Sequence, residues 1–146
     1  MKVYFDTCCL HRPLDNKAQL RIALEAEAVL GILARWEAGT LILVSSEVLS
    51  HEVDRNPQQQ KKEYVLSIIE RIPIVIVIDD AIEERAKALE QRGFKPYDSL
   101  HIASAEVGAV DYFCTCDDLL LKKARQQTDF TVKVVSPLEL ANEVPS

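Results

Sequence analysis

Apolar residues follow two rhythms along this chain, and the rhythms alternate. VYF at 3–5 is short and β-prone, stops at Asp6, and predicts a strand. Beyond the loop HRPLDN, Ile22, Ala26, Val29, Leu33 and Trp36 recur at steps of four and three. That spacing lays one apolar stripe along a helix from about Lys17 to Glu37, and Gly39 supplies its stop. LILV at 41–44 predicts a second strand, with Ser45 or Ser46 able to cap the helix after it. The polar break RNPQQQKKE separates that helix from another at about 62–71. The uninterrupted IVIVI at 74–78 predicts a parallel strand covered on both faces. Asp79 or Asp80 can cap the next helix, which carries Ile82, Ala86 and Leu89 and closes at Gly93.

FKPYDSLHIASAEVGA reads as a loop and then a short helix of small residues. YFCTC at 112–116 predicts the fourth strand, DLLLKKARQQ a helix, VKVV at 132–135 the fifth strand, and PLELA a short terminal helix. The alternation predicts one α/β domain over residues 1–146, a three-layer α/β/α sandwich around a mostly parallel sheet of about five strands. No repeat, low-complexity segment or linker divides it.

The start MKVYFDT runs directly into a strand, without the charged and apolar regions of a leader. No apolar run approaches the ~20 residues that span a bilayer. A cytoplasmic protein without membrane contact is therefore expected. The net charge of −6 and pI near 5.1 argue against a simple basic phosphate-binding module. They are compatible with carboxylates gathered around cations.

The acids fall at informative places. Function in open α/β sheets gathers at the carboxyl ends of strands. Asp6 ends the first strand, Glu47 and Glu52 lie on the helix after the second, Asp98 opens the helix before the fourth, and Asp117 ends the fourth. Two ionised carboxylates ~4 Å apart repel by about 4 kcal/mol at an effective dielectric near 20. A cluster of three or four survives only if protons or a divalent cation compensate it, and oxygen-only ligands suit Mg²⁺ or Mn²⁺. Each acid also has a plainer reading. Asp98 and Asp117 can be helix caps, and Glu47 and Glu52 solvated helix residues. Asp6 is the hardest to dismiss, because an acid ending a buried strand is costly without a partner.

Four ordered pieces, VYFDT at 3–7, SEVLSHEV at 46–53, YDSLHIASA at 97–105 and TCDDLLLKKA at 115–124, resemble the PIN-domain family and, within it, the VapC-type toxins. The resemblance implies a metal-dependent ribonuclease whose three or four acids bind one or two Mg²⁺ or Mn²⁺ ions. It maps the catalytic acids onto Asp6, Glu52, Asp98 and Asp117, with Asp6, Asp98 and Asp117 holding metal directly. Glu52 would bind the ion or orient water, and Glu47 is kept in reserve. Asp118 ranks behind Asp117, because helix geometry points it elsewhere. Thr7 and Thr115 match the family's hydroxyl positions, and with Arg12, in the loop beyond Asp6, they are the candidates for substrate contact. The resemblance further implies a homodimer and an antitoxin partner, with RNA as the substrate.

Other groups carry less. His101 lies one turn after Asp98 and reads as a structural hydrogen-bonding residue; His11 and His51 read as surface groups. Lys122, Lys123 and Arg125 could meet RNA phosphates or simply form a solvated face, and Lys61 and Lys62 are expected to face solvent. Cys8, Cys9, Cys114 and Cys116 match neither a disulfide framework nor a CxxC knuckle. They read as small buried hydrophobes, with zinc or a redox switch as the alternatives. The rival functions are a haloacid-dehalogenase-like phosphatase, a response-regulator receiver and a PIN-like scaffold without activity. A Ser or Cys hydrolase is weaker still, since no GxSxG is present.

Overall fold

The computed structural model describes residues 1–145. Five strands, β1 (Lys2–Phe5), β2 (Ile42–Ser46), β3 (Ile74–Ile76), β4 (Tyr112–Cys114) and β5 (Lys133–Val135), form one sheet in the order β3-β2-β1-β4-β5. Every pairing is parallel. The helices are α1 (Thr7–Leu10), α2 (Leu20–Glu37), α3 (Glu47–Asp54), α4 (Gln59–Ile69), α5 (Asp80–Gln91), α6 (Pro96–Val107), α7 (Asp118–Arg125) and α8 (Pro137–Glu143). The expected α/β sandwich with a parallel sheet is what forms.

Local signals start and stop these helices. Ser46 caps α3 by accepting from the Leu49 amide, Asp79 caps α5 through Ile82, and Pro96 opens α6 where a missing amide hydrogen costs nothing. Ser136 and Glu139 close a reciprocal capping box on α8. Gly93, at φ +97°, takes the left-handed turn after α5 that a side chain would resist.

Several boundaries move. The helix expected from Lys17 begins at Leu20, the one expected at 62–71 runs Gln59–Ile69, and the stretch after Asp6 winds into the single turn α1 followed by a 3₁₀ turn at Arg12–Leu14. The larger correction concerns β3. It is an edge strand only three residues long, with Ile74 and Ile76 half-buried while Val75 is 47% and Val77 64% exposed. An apolar run shows that a strand is β-prone; only the neighbours decide whether both faces are roofed.

The core lies along the central strands. Val3, Tyr4, Phe5, Leu43 and Phe113 are buried, and the Tyr4 and Phe113 rings stack with centroids 5.4 Å apart. Truncating Phe113 to Ala would leave a void between β1 and β4. A loss of about 3–5 kcal/mol is expected in urea denaturation, and a loss under 1 kcal/mol would contradict this packing.

Candidate active site

β1 is central; the chain runs outward from it through β2 to β3, then crosses back to β4 on the other side of β1 and out to β5. The carboxyl ends of β1 and β4 therefore flank a switch point, the place where open α/β sheets form a crevice. Asp6 follows β1 directly, its amide donating to the Cys114 carbonyl at 2.9 Å, and Asp117 follows β4 as the N-cap of α7. Glu52 is brought in by α3 and Asp98 by the first turn of α6.

A cleft of about 780 Å³ opens there, lined by all four of these acids. Thr7, Cys8, His11, Arg55, Asn56, Lys95, Pro96 and Tyr97 complete its wall. Glu47 lies elsewhere, accepting from the Ile78 amide at 2.7 Å just beyond β3. Asp118 is also outside the wall, in a two-pronged pair with Arg21 at 2.6 Å.

Asp6 is 6% exposed. Its Oδ1 accepts from the Thr7 amide at 2.8 Å, and its Oδ2 from the Thr115 hydroxyl at 2.9 Å and the Cys8 thiol at 3.4 Å. Burial raises its pKa well above the usual carboxylate range, with the charges of Cys8 and Asp98 adding to the rise. Asp98 is raised as well, first by burial and then by the negative charge of Asp117, while Lys95 pulls the other way. Glu52 behaves differently. Burial would raise it, yet the hydrogen bonds it accepts from His101 and the Thr7 hydroxyl hold it below its ordinary value.

That difference comes from a buried relay of side chains. The Tyr4 hydroxyl sits 2.6 Å from Ser46 Oγ and 2.6 Å from His101 Nδ1, and His101 Nε2 sits 2.9 Å from Glu52 Oε1. Ser46 Oγ already accepts from the Leu49 amide. One hydrogen arrangement satisfies every member: Ser46 donates to Tyr4, Tyr4 to His101 Nδ1, and the Nε2 hydrogen of a neutral His101 to an ionised Glu52. Thr7 donates to the same Glu52 oxygen.

Asp6, Glu52 and His101 each place a donor atom within 4.8 Å of the others. With both ring nitrogens committed and no solvent exposure, His101 acts as the holder of Glu52 rather than as a ligand. The remaining donors are carboxylate oxygens in a half-buried cleft whose charge is incompletely offset. This set fits a divalent cation of the hard, oxygen-seeking kind.

Other expected groups are placed differently. Arg12 does not line the cleft; its guanidinium pairs with Asp15 at 2.9 Å and faces Glu25 at 3.4 Å. Thr115 is buried and reaches Asp6 and the Asp117 amide. Lys61, expected in solvent, is 22% exposed and pairs with Asp15 at 2.7 Å, while Lys62 pairs with Asp54 at 3.2 Å. Lys123 turns to the Gly93 carbonyl and Arg125 to Glu139. His11 lines the cleft and bonds Asp15 at 3.0 Å, so it is not a plain surface group. The sequence reading missed the two cations on the wall, Arg55 and Lys95. Arg55 is the C-cap of α3 and Lys95 the N-cap of α6, and their spacing of three residues from Glu52 and Asp98 was the available signal.

The described residues contain no helix long and apolar enough to cross a membrane. Among solved structures, the chain is similar to VapBC2 from Rickettsia felis bound to a DNA fragment from their promoter, at 16% identity and TM-score 0.58, covering 93% of this chain and 98% of that one. It is similar also to FitAB bound to an IR36 DNA fragment, at 16% identity and TM-score 0.58, covering 92% and 94%. No curated protein matches its sequence. The PIN domain model matches residues 3–126, and the chain accordingly belongs to the PIN domain family.

Proposed function

We propose that this PIN domain is a divalent-metal-dependent endoribonuclease, hydrolysing RNA phosphodiesters in the acidic cleft with Mg²⁺ or Mn²⁺. The observation that carries the reading is the convergence of Asp6, Glu52, Asp98 and Asp117, from four separate stretches of chain, on one cleft in which Asp6 and Asp98 resist ionisation. A bound divalent ion supplies Lewis-acid polarisation of the phosphate and a lowered pKa for the attacking water.

The residues of the chain do the rest. Asp6, Asp98 and Asp117 hold the ion. Glu52, kept ionised by His101 and Thr7, orients the water and accepts its proton. Thr115 fixes the Asp6 carboxylate and Thr7 fixes Glu52, so both hydroxyls position acids instead of gripping substrate. Contact with the RNA backbone falls to the exposed Arg55 and Lys95 on the wall, in place of Arg12.

Cleavage of single-stranded RNA by the purified chain with Mn²⁺ tests the reading. Glu52→Gln is expected to cost at least about 100-fold in rate, or roughly 2.7 kcal/mol of barrier. Glu47→Gln, outside the cleft, should cost little. The reverse order would overturn the assignment. Absence of both Mn²⁺ binding and cleavage would leave a PIN-like scaffold that binds partners without chemistry.

The toxin role belongs to the same proposal. Its support is the likeness to VapBC2 and FitAB, each solved on DNA. The expected partner is an antitoxin that occupies the acidic cleft, and the expected state is a cytoplasmic homodimer. Growth arrest on expression, relieved by Asp6→Ala, separates a toxin from a housekeeping nuclease. Light scattering reads the dimer.

A further inference from the structure

The cysteines stand immediately behind the acid cleft. Cys8 and Cys9 lie on α1, Cys114 ends β4, and Cys116 lies just beyond it. Cys9 Sγ is 3.4 Å from Cys116 Sγ and 3.8 Å from Cys114 Sγ, and the sulfurs of Cys8, Cys9 and Cys116 all lie within 4.8 Å of one another. Three sulfurs each bonded to one ion at about 2.3 Å sit about 3.8 Å apart in a tetrahedral site and about 4.0 Å apart in a trigonal one. The Cys9–Cys116 separation of 3.4 Å is a little shorter than that, and the 4.8 Å limit on the Cys8 pairs brackets it, so small side-chain adjustments reach ligand spacing. A disulfide would instead require the Cys9 and Cys116 sulfurs to close from 3.4 Å to about 2.05 Å.

The surroundings agree in burial and charge. Cys9 is fully buried and Cys116 nearly so, while Cys8 is half-buried on the cleft wall and gives an ion a way in. The Arg12 guanidinium lies beside Cys116, where it also pairs with Asp15 at 2.9 Å and turns its buried Nε toward Glu25 at 3.4 Å without forming a proper hydrogen bond. Three thiolates around a divalent ion carry a net charge of about −1, and around a monovalent ion about −2. A buried anion of that kind needs a neighbouring cation, and Arg12 is in place to serve.

We propose that Cys8, Cys9 and Cys116 form a second metal site, taking a thiophilic d¹⁰ cation, Zn²⁺ or Cu⁺. Sulfur donors select against the hard ions that suit the carboxylates, so the two sites differ in chemistry although they share a wall. Cu⁺ is satisfied by three thiolates, whereas Zn²⁺ takes a fourth donor from the open side at Cys8. Because the Cys8 thiol donates to Asp6 Oδ2, an ion bound to Cys8 removes a hydrogen bond from the acid at the centre of the cleft.

The test uses the full chain, reduced, stripped with chelator, and held in excess Mg²⁺ without oxygen. Co²⁺ titration is expected to give one ion per chain with thiolate-to-cobalt charge-transfer absorption that Zn²⁺ displaces. In a second arm, the chain should withdraw Cu⁺ from a chromophoric chelator. At least one arm must succeed, and Asp6→Asn must keep the signal, which separates this site from the nuclease reading. Cys8→Ser and Cys116→Ser are each expected to weaken binding by roughly 100-fold or more, since even the outer partners of metal sites are worth 10–100-fold. Circular dichroism checks that the variants fold, and the half-exposed Cys8 is the safer one. Failure of both arms, binding that survives Cys8→Ser, or a disulfide found by mass spectrometry in place of the ion would overturn the proposal.

Discussion

Asp6→Asn is expected to abolish Mn²⁺-dependent RNA cleavage, by at least about 100-fold, while making the metal-free protein more stable. Burial and the neighbouring charges of Cys8 and Asp98 raise the Asp6 carboxyl, so the folded state binds its proton more tightly than the unfolded chain does. The stability this group contributes is therefore fully present below its ordinary value of 3.8 and is lost as pH rises through the folded value. Asparagine keeps the volume and removes the charge. Its oxygen can still accept from the Thr7 amide, and the Thr115 hydroxyl can turn to accept from the new amide nitrogen.

The gain over wild type should consequently grow from acid to neutral pH, at about 3 °C of melting temperature per kcal/mol for a domain of this size. Mn²⁺ should separate the two proteins in the other direction, by stabilising the wild type alone. At an ion concentration about 100 times its Kd, the wild type gains about 2.7 kcal/mol, and the variant little. The wild-type gain shrinks as pH falls, because protons compete for Asp6 and Asp98. Thermal melts of both proteins, with and without Mn²⁺ at two pH values, check all of this. Equal Mn²⁺ shifts in the two would remove Asp6 from the metal site.

His101→Ala is expected to be the most damaging single change away from the acids. The ring is fully buried, and it links the Tyr4 hydroxyl to Glu52. Its removal leaves a void and takes one partner each from the buried Tyr4 hydroxyl and the half-buried Glu52 carboxylate, for a combined cost of about 3–5 kcal/mol in urea denaturation. Glu52 loses the bond that holds its pKa down, so the optimum for cleavage should move to higher pH as well as fall in height. Tyr4→Phe makes the controlled comparison. It keeps the stack on Phe113 and the Glu52 bond but leaves His101 Nδ1 without its donor and the Ser46 hydroxyl hydrogen without its acceptor, at about 1–3 kcal/mol. A His101→Ala protein as stable as the wild type would refute the relay.

The element order was legible because it depends on local period alone. Alternating β-prone runs and helical stripes marked all five strands, and caps such as Asp117 and Ser46 announced their helices. The approach of the four acids to one cleft was legible too: Asp6 and Asp117 stand just past strand ends, Glu52 on the helix that β2 feeds, and Asp98 in the first turn of the helix before β4. Pairings across the chain were not. Glu25, on the helix read as amphipathic, is 2% exposed and faces Arg12 and Arg21 at 3.4 and 3.6 Å. Nothing in its spacing tells it from a solvated glutamate. Arg12, read as a substrate contact, is drawn into that same group, and Tyr4 meets His101 across 97 positions.

By itself the sequence determined which segments are strands and which are helices, and that acids stand close to strand ends and helix starts, since hydrophobic period and capping chemistry are properties of neighbouring residues. Tertiary structure alone decided that IVIVI lies at an edge with valines in water and that His101 hydrogen-bonds Glu52, and it places on the cleft the glutamate that the family resemblance, not the spacing, had favoured over Glu47. Those outcomes depend on what packs against each group from distant parts of the chain, and burial, charge pairing and hydrogen-bond satisfaction have values only once that packing exists.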